Sequence, residues 1–164
     1  MIDRRAFLSL TAAAALAGCG SKFKSYDGPE VTRVVVMKQQ RSLYLLHHNQ
    51  VLRAYRVDLG YAPVGDKLYE GDGRTPEGRY YINRRNPDSK YHLSLGISYP
   101  NETDIEEARA LGKSPGGDIF IHGRSRKNRR KGADWTAGCI SVKDKEIEDI
   151  YAMVRDGTAI DILP

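Results

Sequence analysis

A series of short apolar runs, each too brief for a helix and bounded by Gly, Pro or polar turns, restricts this chain to a strand-rich fold. Arg33 to Met37 is β-branched, Leu43 to Leu46 and Val51 to Leu59 read as a hairpin across His47-His48-Asn49-Gln50, and Gly78 to Ile82 reads as a further strand. Val51, Tyr55, Val57 and Leu59 are expected on one face of a half-buried strand. Gly60 to Gly73, with four Gly and one Pro, is expected to be loop. Asp118 to His122, Cys139 to Val142 and Ile160 to Leu163 complete the strands. Two helices are expected. One starts at a Thr103-x-x-Glu106 capping box and stops at Gly112; the other starts near Asp144, carries Ile147, Ile150, Tyr151 and Val154 on one stripe, and stops at Gly157. The fold class is β-rich α+β, a single sandwich or barrel domain over 33–164 with a few short helices.

Composition agrees with one globular domain. The 164 residues are 40% hydrophobic and 29% charged, a mixture that excludes collagen-like, low-complexity and polytopic membrane chains. The net charge of +5 is modest, but six of the eight residues from Arg124 to Lys131 are Lys or Arg. Such a run is usually a solvated loop.

The N-terminus is expected to lie outside the fold. Arg4 and Arg5 precede the apolar stretch Phe7 to Ala17, too short to span a bilayer, which needs roughly 20 apolar residues. Leu16-Ala17-Gly18-Cys19 resembles a bacterial lipobox. That resemblance implies a signal peptide over 1–18, a lipid on Cys19, and a flexible tether through residue 32. Arg4-Arg5-Ala6-Phe7-Leu8 also resembles a twin-arginine signal, and Sec export stays open. The expected location is the periplasm or cell envelope, with the outer membrane favoured because Gly20 rather than Asp follows Cys19. Lipidation of Cys19 leaves Cys139 as the one free thiol in an oxidising compartment.

Cys139 lies 17 positions after His122, across a polar Gly- and Arg-rich segment. Strands flanking that segment would bring imidazole and thiol together, and a neighbouring imidazole both accepts the thiol proton and stabilises the thiolate. Gly138 removes a side chain from the approach to sulfur. The amides near Ala137-Gly138-Cys139 could then face a developing oxyanion.

Ile121-His122-Gly123, a variable loop, then Asp134-Trp135-Thr136-Ala137-Gly138-Cys139-Ile140-Ser141-Val142 resembles the active-site signature of L,D-transpeptidases, the YkuD-type catalytic domain. Asp72-Gly73-Arg74-Thr75-Pro76-Glu77-Gly78 resembles a second block of that family, so the likeness covers about Arg33 to Leu163. With its lipobox the chain resembles a lipoprotein member of the Asp-Trp-Thr-x-Gly-Cys subgroup of that family. The chain departs from the commoner signature at Ala137, where a second His is usual, and at Ser141, where Arg or Asn is usual.

The resemblance implies a cysteine acyl-transferase acting on peptidoglycan stem peptides. Cys139 is the nucleophile and His122 the proton acceptor and donor, and the Gly123 carbonyl orients His122. Asp134 is a second candidate for that orienting role, on charge alone. Trp135, Thr136, Ser141 and Arg124 are candidates for contact with the stem peptide. An amine acceptor would give a 3-3 cross-link, an attached amino acid or an attached lipoprotein. Water would make the protein an L,D-carboxypeptidase or an amidase, and a non-catalytic wall-binding lipoprotein is a third reading.

No metal or cofactor is expected. His47, His48 and His92 lack zinc-site spacing and read as loop residues. Asp72 and Thr75 read as turn architecture, because Asp-Gly and Thr-Pro are turn chemistry. Export argues against nucleic acid as the partner of the basic run. The chain is expected to act as a monomer on the wall, anchored at the membrane.

Overall fold

The computed structural model describes residues 21–124 and 131–164. The expected signal peptide, the lipidation site Cys19 and most of the basic run lie outside the described residues. Among the described residues, eight strands and two helices follow in the order β1 (Arg33–Met37), β2 (Ser42–His47), β3 (Gln50–Arg56), β4 (Gly78–Asn86), β5 (Ser94–Ile97), α1 (Glu102–Ala110), β6 (Phe120–His122), β7 (Ile140–Ser141), α2 (Asp144–Met153) and β8 (Ala159–Leu163).

The strands form one mixed sheet in the order β3-β2-β1-β8-β4-β5-β6-β7. Among these strands, β1 with β8 and β6 with β7 run parallel and the other neighbours antiparallel. Alternation places Val34 and Val36 opposite Leu45 and Leu43 on one side and Ile160 and Ile162 on the other. All six are fully buried. Burying each of these side chains stabilises the fold by about 1.5–3 kcal/mol, so this row anchors the sheet.

Strand β4 makes the sheet bend. Its first half, Gly78 to Tyr81, pairs with β8, its second half pairs with β5, and the register breaks between Ile82 and Arg84. The chain beyond β3 then crosses to the opposite edge, where Asp58 bridges Ser141 and Gly60 bridges Thr136. The sheet thus curls into a half-barrel, with Ile147, Ile150 and Met153 of α2 buried against it.

Several expectations are corrected. Strand β3 ends at Arg56 and Val51 is 54% exposed. Leu45 pairs with Arg53 but Leu46 with Val51, so Leu52 is an extra residue, and a bulge reverses which side chains face inward. The buried Val57 and Leu59 belong to the crossing segment. Helix α1 is capped by Asn101, not Thr103: Asn101 accepts from the Asp104 amide at 3.1 Å and Asp104 accepts from the Asn101 amide at 2.7 Å. Gly112 follows its end with a φ of +67°, as expected of a glycine stop. Helix α2 ends at Met153, and Val154 is already extended.

The described part of the expected tether touches the domain. Lys22 donates to the carbonyls of Pro87 and His92 at 2.6 and 3.2 Å, and Lys24 pairs with Asp149 of α2 at 2.7 Å. Tyr26 packs on the core. Lys24 meets the acidic side of α2 and Lys22 meets backbone carbonyls outside it, so residues 22–26 lie along the domain.

Candidate active site

The site is built from three turns around the β6–β7 edge. The first is the loop between β3 and β4, held by two almost fully buried lysines. Lys38 donates to the carbonyls of Gly65 and Thr75 and pairs with Glu77 at 2.7 Å. Lys67 pairs with Asp72 at 2.9 Å and donates to the Tyr69 carbonyl. Asp72 also accepts the amides of Leu68, Tyr69 and Arg74. Burial pushes its carboxyl up, but the Arg74 amide, Lys67 and the other two amides outweigh it, leaving the pKa below the ordinary value. Thr75 Oγ1 accepts from the Gly60 amide at 3.0 Å. The architectural reading of Asp72 and Thr75 therefore holds.

This loop sets the Arg74 carbonyl against the second turn, Thr136-Ala137-Gly138-Cys139. A Cβ on Gly138 would lie 2.7 Å from that carbonyl, and its φ is +137°. Glycine is required there on both counts. Thr136, itself buried, clamps the turn: its Oγ1 donates to the Cys139 carbonyl at 2.7 Å and accepts from the Gly138 amide at 3.1 Å. Thr136 is thus a turn clamp rather than an exposed ligand contact. The Gly138 amide is engaged, so the turn's remaining amides are those of Ala137 and Cys139.

His122 ends β6 and is 3% exposed. Its Nδ1 lies 2.6 Å from the Gly123 carbonyl, a contact that makes Nδ1 the donor and leaves Nε2 as the basic nitrogen. Tyr91 stacks on the ring at 4.4 Å and Trp135 meets it edge-on at 5.7 Å. A Cβ on Gly123 would meet the Tyr91 carbonyl at 2.7 Å and Asp144 Oδ1 at 2.8 Å, so that glycine allows the close packing that fixes the imidazole. Tyr91 carried no periodicity or motif and was invisible in the sequence.

Thiol and imidazole do not hydrogen-bond to each other. Cys139 Sγ donates to the Asp118 carbonyl at 3.5 Å. Burial pushes the thiol pKa up; the Phe120 amide opposes it, the Asp118 carboxylate adds a lesser upward push and Lys67 a still smaller downward one, and the net direction is up. Burial lowers the His122 pKa more than its bond to Gly123 raises it. At neutral pH the resting pair is therefore neutral thiol and neutral imidazole, which corrects the expectation of an imidazole-lowered thiol.

Other expected residues are placed differently. Asp134 pairs with Arg41 at 2.8 Å and accepts the Leu59 amide at 3.0 Å, so it braces the crossing segment instead of orienting His122. Arg124 pairs with Asp58 and donates to the Lys131 carbonyl. It lines a cavity of about 650 Å³ with Arg41, Arg56, Val142 and Lys143 that contains neither Cys139 nor His122. Ser141 is wholly buried and paired through its backbone with Asp58. Its hydroxyl and the Trp135 indole N–H have no hydrogen-bond partner among the described residues. Ser141 is placed as an interior residue and not as an exposed substrate contact. Trp135 forms one wall beside His122, with Lys131 5.4 Å from its ring centre. His92 is paired with Glu148 at 2.9 Å, and no group of residues suited to a metal occurs among the described residues.

Comparison with known proteins agrees with this architecture. The chain is 28% identical over 127 residues to "Putative L,D-transpeptidase YafK" of Escherichia coli (strain K12), a match that covers 74% of this chain and 46% of that one. The chain thus spans about half the length of that curated relative. Among solved structures, the K307A mutant of the helical cell shape determining protein Pgp2 from Campylobacter jejuni superposes with a TM-score of 0.63 at 25% identity, over 84% of this chain and 48% of that one. Bd1075 from Bdellovibrio bacteriovorus gives 0.60 at 26%, over 82% and 48%. L,D-transpeptidase 1 of Mycobacterium tuberculosis shares the fold at 12% identity, with a TM-score of 0.54 over 82% and 62%. The L,D-transpeptidase catalytic domain, YkuD, matches residues 31–162, and the chain belongs to that family.

Proposed function

We propose that the protein is a lipid-anchored cell-envelope enzyme that transfers acyl groups of peptidoglycan stem peptides through a thioester on Cys139. The observation that carries this reading is the presentation of His122. Its Nδ1–H is tied to the Gly123 carbonyl, so Nε2 is basic and sits on the strand paired with the one that Cys139 leads into. A neutral thiol gives its proton to a neutral imidazole as sulfur attacks the carbonyl. The proton then passes to the departing amine. The tetrahedral oxyanion would take its hydrogen bonds from the Ala137 and Cys139 amides.

In the transpeptidase reading an amine of a second stem peptide resolves the thioester, with His122 taking its proton. No metal or cofactor enters these steps. Anchoring through Cys19, a periplasmic location, monomeric action and a role in cell wall remodelling and cell shape belong to the same proposal, the last supported by the likeness to Pgp2. Attachment or release of a wall-bound lipoprotein is within the same chemistry.

The test is mass spectrometry of tetrapeptide muropeptides incubated with the protein and with its Cys139→Ala variant. A 3-3 linked dimer with loss of D-alanine, absent with the variant, is the expected result. Tripeptide alone would make the enzyme a hydrolase, and no change would remove the transpeptidase reading.

A further inference from the structure

The turn that carries Cys139 faces a third turn, Gly116-Gly117-Asp118, which leads into β6. Asp118 has a φ of +56°, a left-handed conformation that Asp tolerates better than most residues but that glycine would accept freely. The conformation goes with the contact already described, in which the Asp118 carbonyl accepts from the thiol. Its carboxylate, 82% exposed, pairs with Arg84 at 2.9 Å; Arg84 is 51% exposed and its guanidinium lies 4.6 Å from the centre of the Phe120 ring. Phe120 is the next residue but one in the strand that ends at His122.

An exposed pair of this kind adds little to stability. The negative charge also works against the chemistry, since it opposes formation of a thiolate next door. Glycine at residue 118 would relieve the strained backbone and the adverse charge together. A carboxylate and a guanidinium beside a nucleophile are, however, complementary to a group bearing an ammonium and a carboxylate on one carbon.

We propose that Asp118 and Arg84 form a recognition site for the α-amino-acid end of the amine that resolves the thioester, Asp118 facing its ammonium and Arg84 its carboxylate. The proposal rests on the acyl-transfer reading above and names the acceptor class it takes. The ammonium is drawn to the site by charge and loses one proton to solvent. The neutral amine then attacks the thioester carbonyl, a C–N bond forms and the C–S bond breaks. The second proton passes from nitrogen through His122 Nε2 to the departing sulfur. Asp118 and Arg84 concentrate and orient the acceptor without taking that proton.

Two measurements on the full chain test this. The first is direct binding by nuclear magnetic resonance to the Cys139→Ser variant, with D-alanine as the probe and its amide and N-acetyl derivatives as controls. Saturable shifts of the Asp118 amide and the Arg84 guanidinium are expected with D-alanine. Each control, lacking one charge, should bind roughly tenfold more weakly, the size of one charge-assisted hydrogen bond. Asp118→Asn and Arg84→Gln should each weaken D-alanine in the same way. Asn keeps tolerance of the left-handed backbone, so the first variant removes charge and leaves the turn. Shifts that are absent, or equal for all three probes, overturn the proposal.

The second measurement is the ratio of D-alanine adduct to hydrolysis product formed from one acyl-enzyme. Water and amine attack the same thioester, so the ratio is blind to changes in thiol acidity. It should fall about tenfold in Asp118→Asn, and an unchanged ratio overturns the proposal. If no acyl-enzyme forms, the acyl-transfer reading fails on that result, while the binding measurement still decides the recognition site.

Discussion

His122 ends β6 and Cys139 leads into the neighbouring β7, yet they are held in opposite ways. The imidazole is fixed on three sides, by the Gly123 carbonyl, the Tyr91 ring and the Trp135 ring. The thiol has one long contact, to the Asp118 carbonyl, although the backbone that carries it is clamped by Thr136 and backed by the β3–β4 loop. The fold therefore pre-orients the base and leaves the nucleophile to turn about its own side-chain bond. Orientation is the expensive part for a planar ring with two distinct nitrogens, whereas a thiol needs only a rotation about χ1.

The comparison can be broken most strongly at the backing loop. Asp72→Ala would leave Lys67 buried without its partner and three amides without their acceptor. Removing one partner of a buried pair costs about 3–5 kcal/mol, and for a domain of this size each kcal/mol lowers Tm by roughly 2–4 °C. Thermal unfolding should show that loss. Hydrogen exchange in the remaining native state should show it concentrated at Thr136 to Cys139 and not at His122. Equal deprotection at both places would show that the two halves of the site share one support. Because the Asp72 pKa is lowered on folding, its contribution is present above the ordinary value of 3.8 and is lost as pH falls through the depressed value.

Thr136→Val keeps the side chain's shape and removes both hydrogen bonds of the clamp. A loss of about 1–3 kcal/mol is expected, with kcat reduced and the fluorescence of the neighbouring Trp135 changed. Tyr91→Ala acts on the other half. The stacking contact is worth about 0.5–1.5 kcal/mol, so kcat should fall up to roughly tenfold, with Tyr91→Phe near wild type. Exposure of the imidazole to water in the Ala variant should also return its pKa toward the ordinary 6.5, since burial is what lowers it. A Tyr91→Ala variant of full activity would show that Gly123 and Trp135 suffice to hold the ring.

Much of this contrast was legible in the chain, and the reason differs by element. The strands with clean alternation, β1 and β8, were readable because both lie in the middle of the sheet with one buried row. Strand β5, Ser94–Ile97, was not, since all four residues are buried and no alternation marks it. The bulge at Leu52 misled the reading of β3 because a two-residue period carries no sign of an inserted residue. Among the site residues, Gly123 and Gly138 could be read as close-approach glycines from their place beside His and Cys. What they approach, the Tyr91 and Arg74 carbonyls, comes from segments 32 and 64 positions earlier in the sequence. The direction of the thiol pKa was misread for the same reason: its burial and the charge of Asp118 are tertiary facts that a His–Cys spacing does not contain.

The smallest effect, and the most diagnostic for the resting state, is the pH dependence of thiol alkylation. A preformed thiolate–imidazolium pair would react with iodoacetamide at a rate that levels off well below pH 8. The geometry here predicts otherwise. With the thiol pKa above its ordinary 9.0 and the His122 pKa below 6.5, the rate should climb roughly tenfold per pH unit through neutrality and keep rising past pH 9. Acylation of Cys139, the first half of acyl transfer, should behave differently, because it needs only neutral imidazole and a thiol that gives up its proton during attack. Its rate should rise through the lowered His122 pKa and already be on a plateau at pH 7. Asp118→Asn should shift the alkylation curve to lower pH and leave the acid limb of acylation in place, since the carboxylate acts on the thiol and not on the imidazole. An alkylation plateau below pH 8 in the wild-type protein would mean that the sulfur had already turned from Asp118 to His122, and that the two halves of the site are equally pre-set.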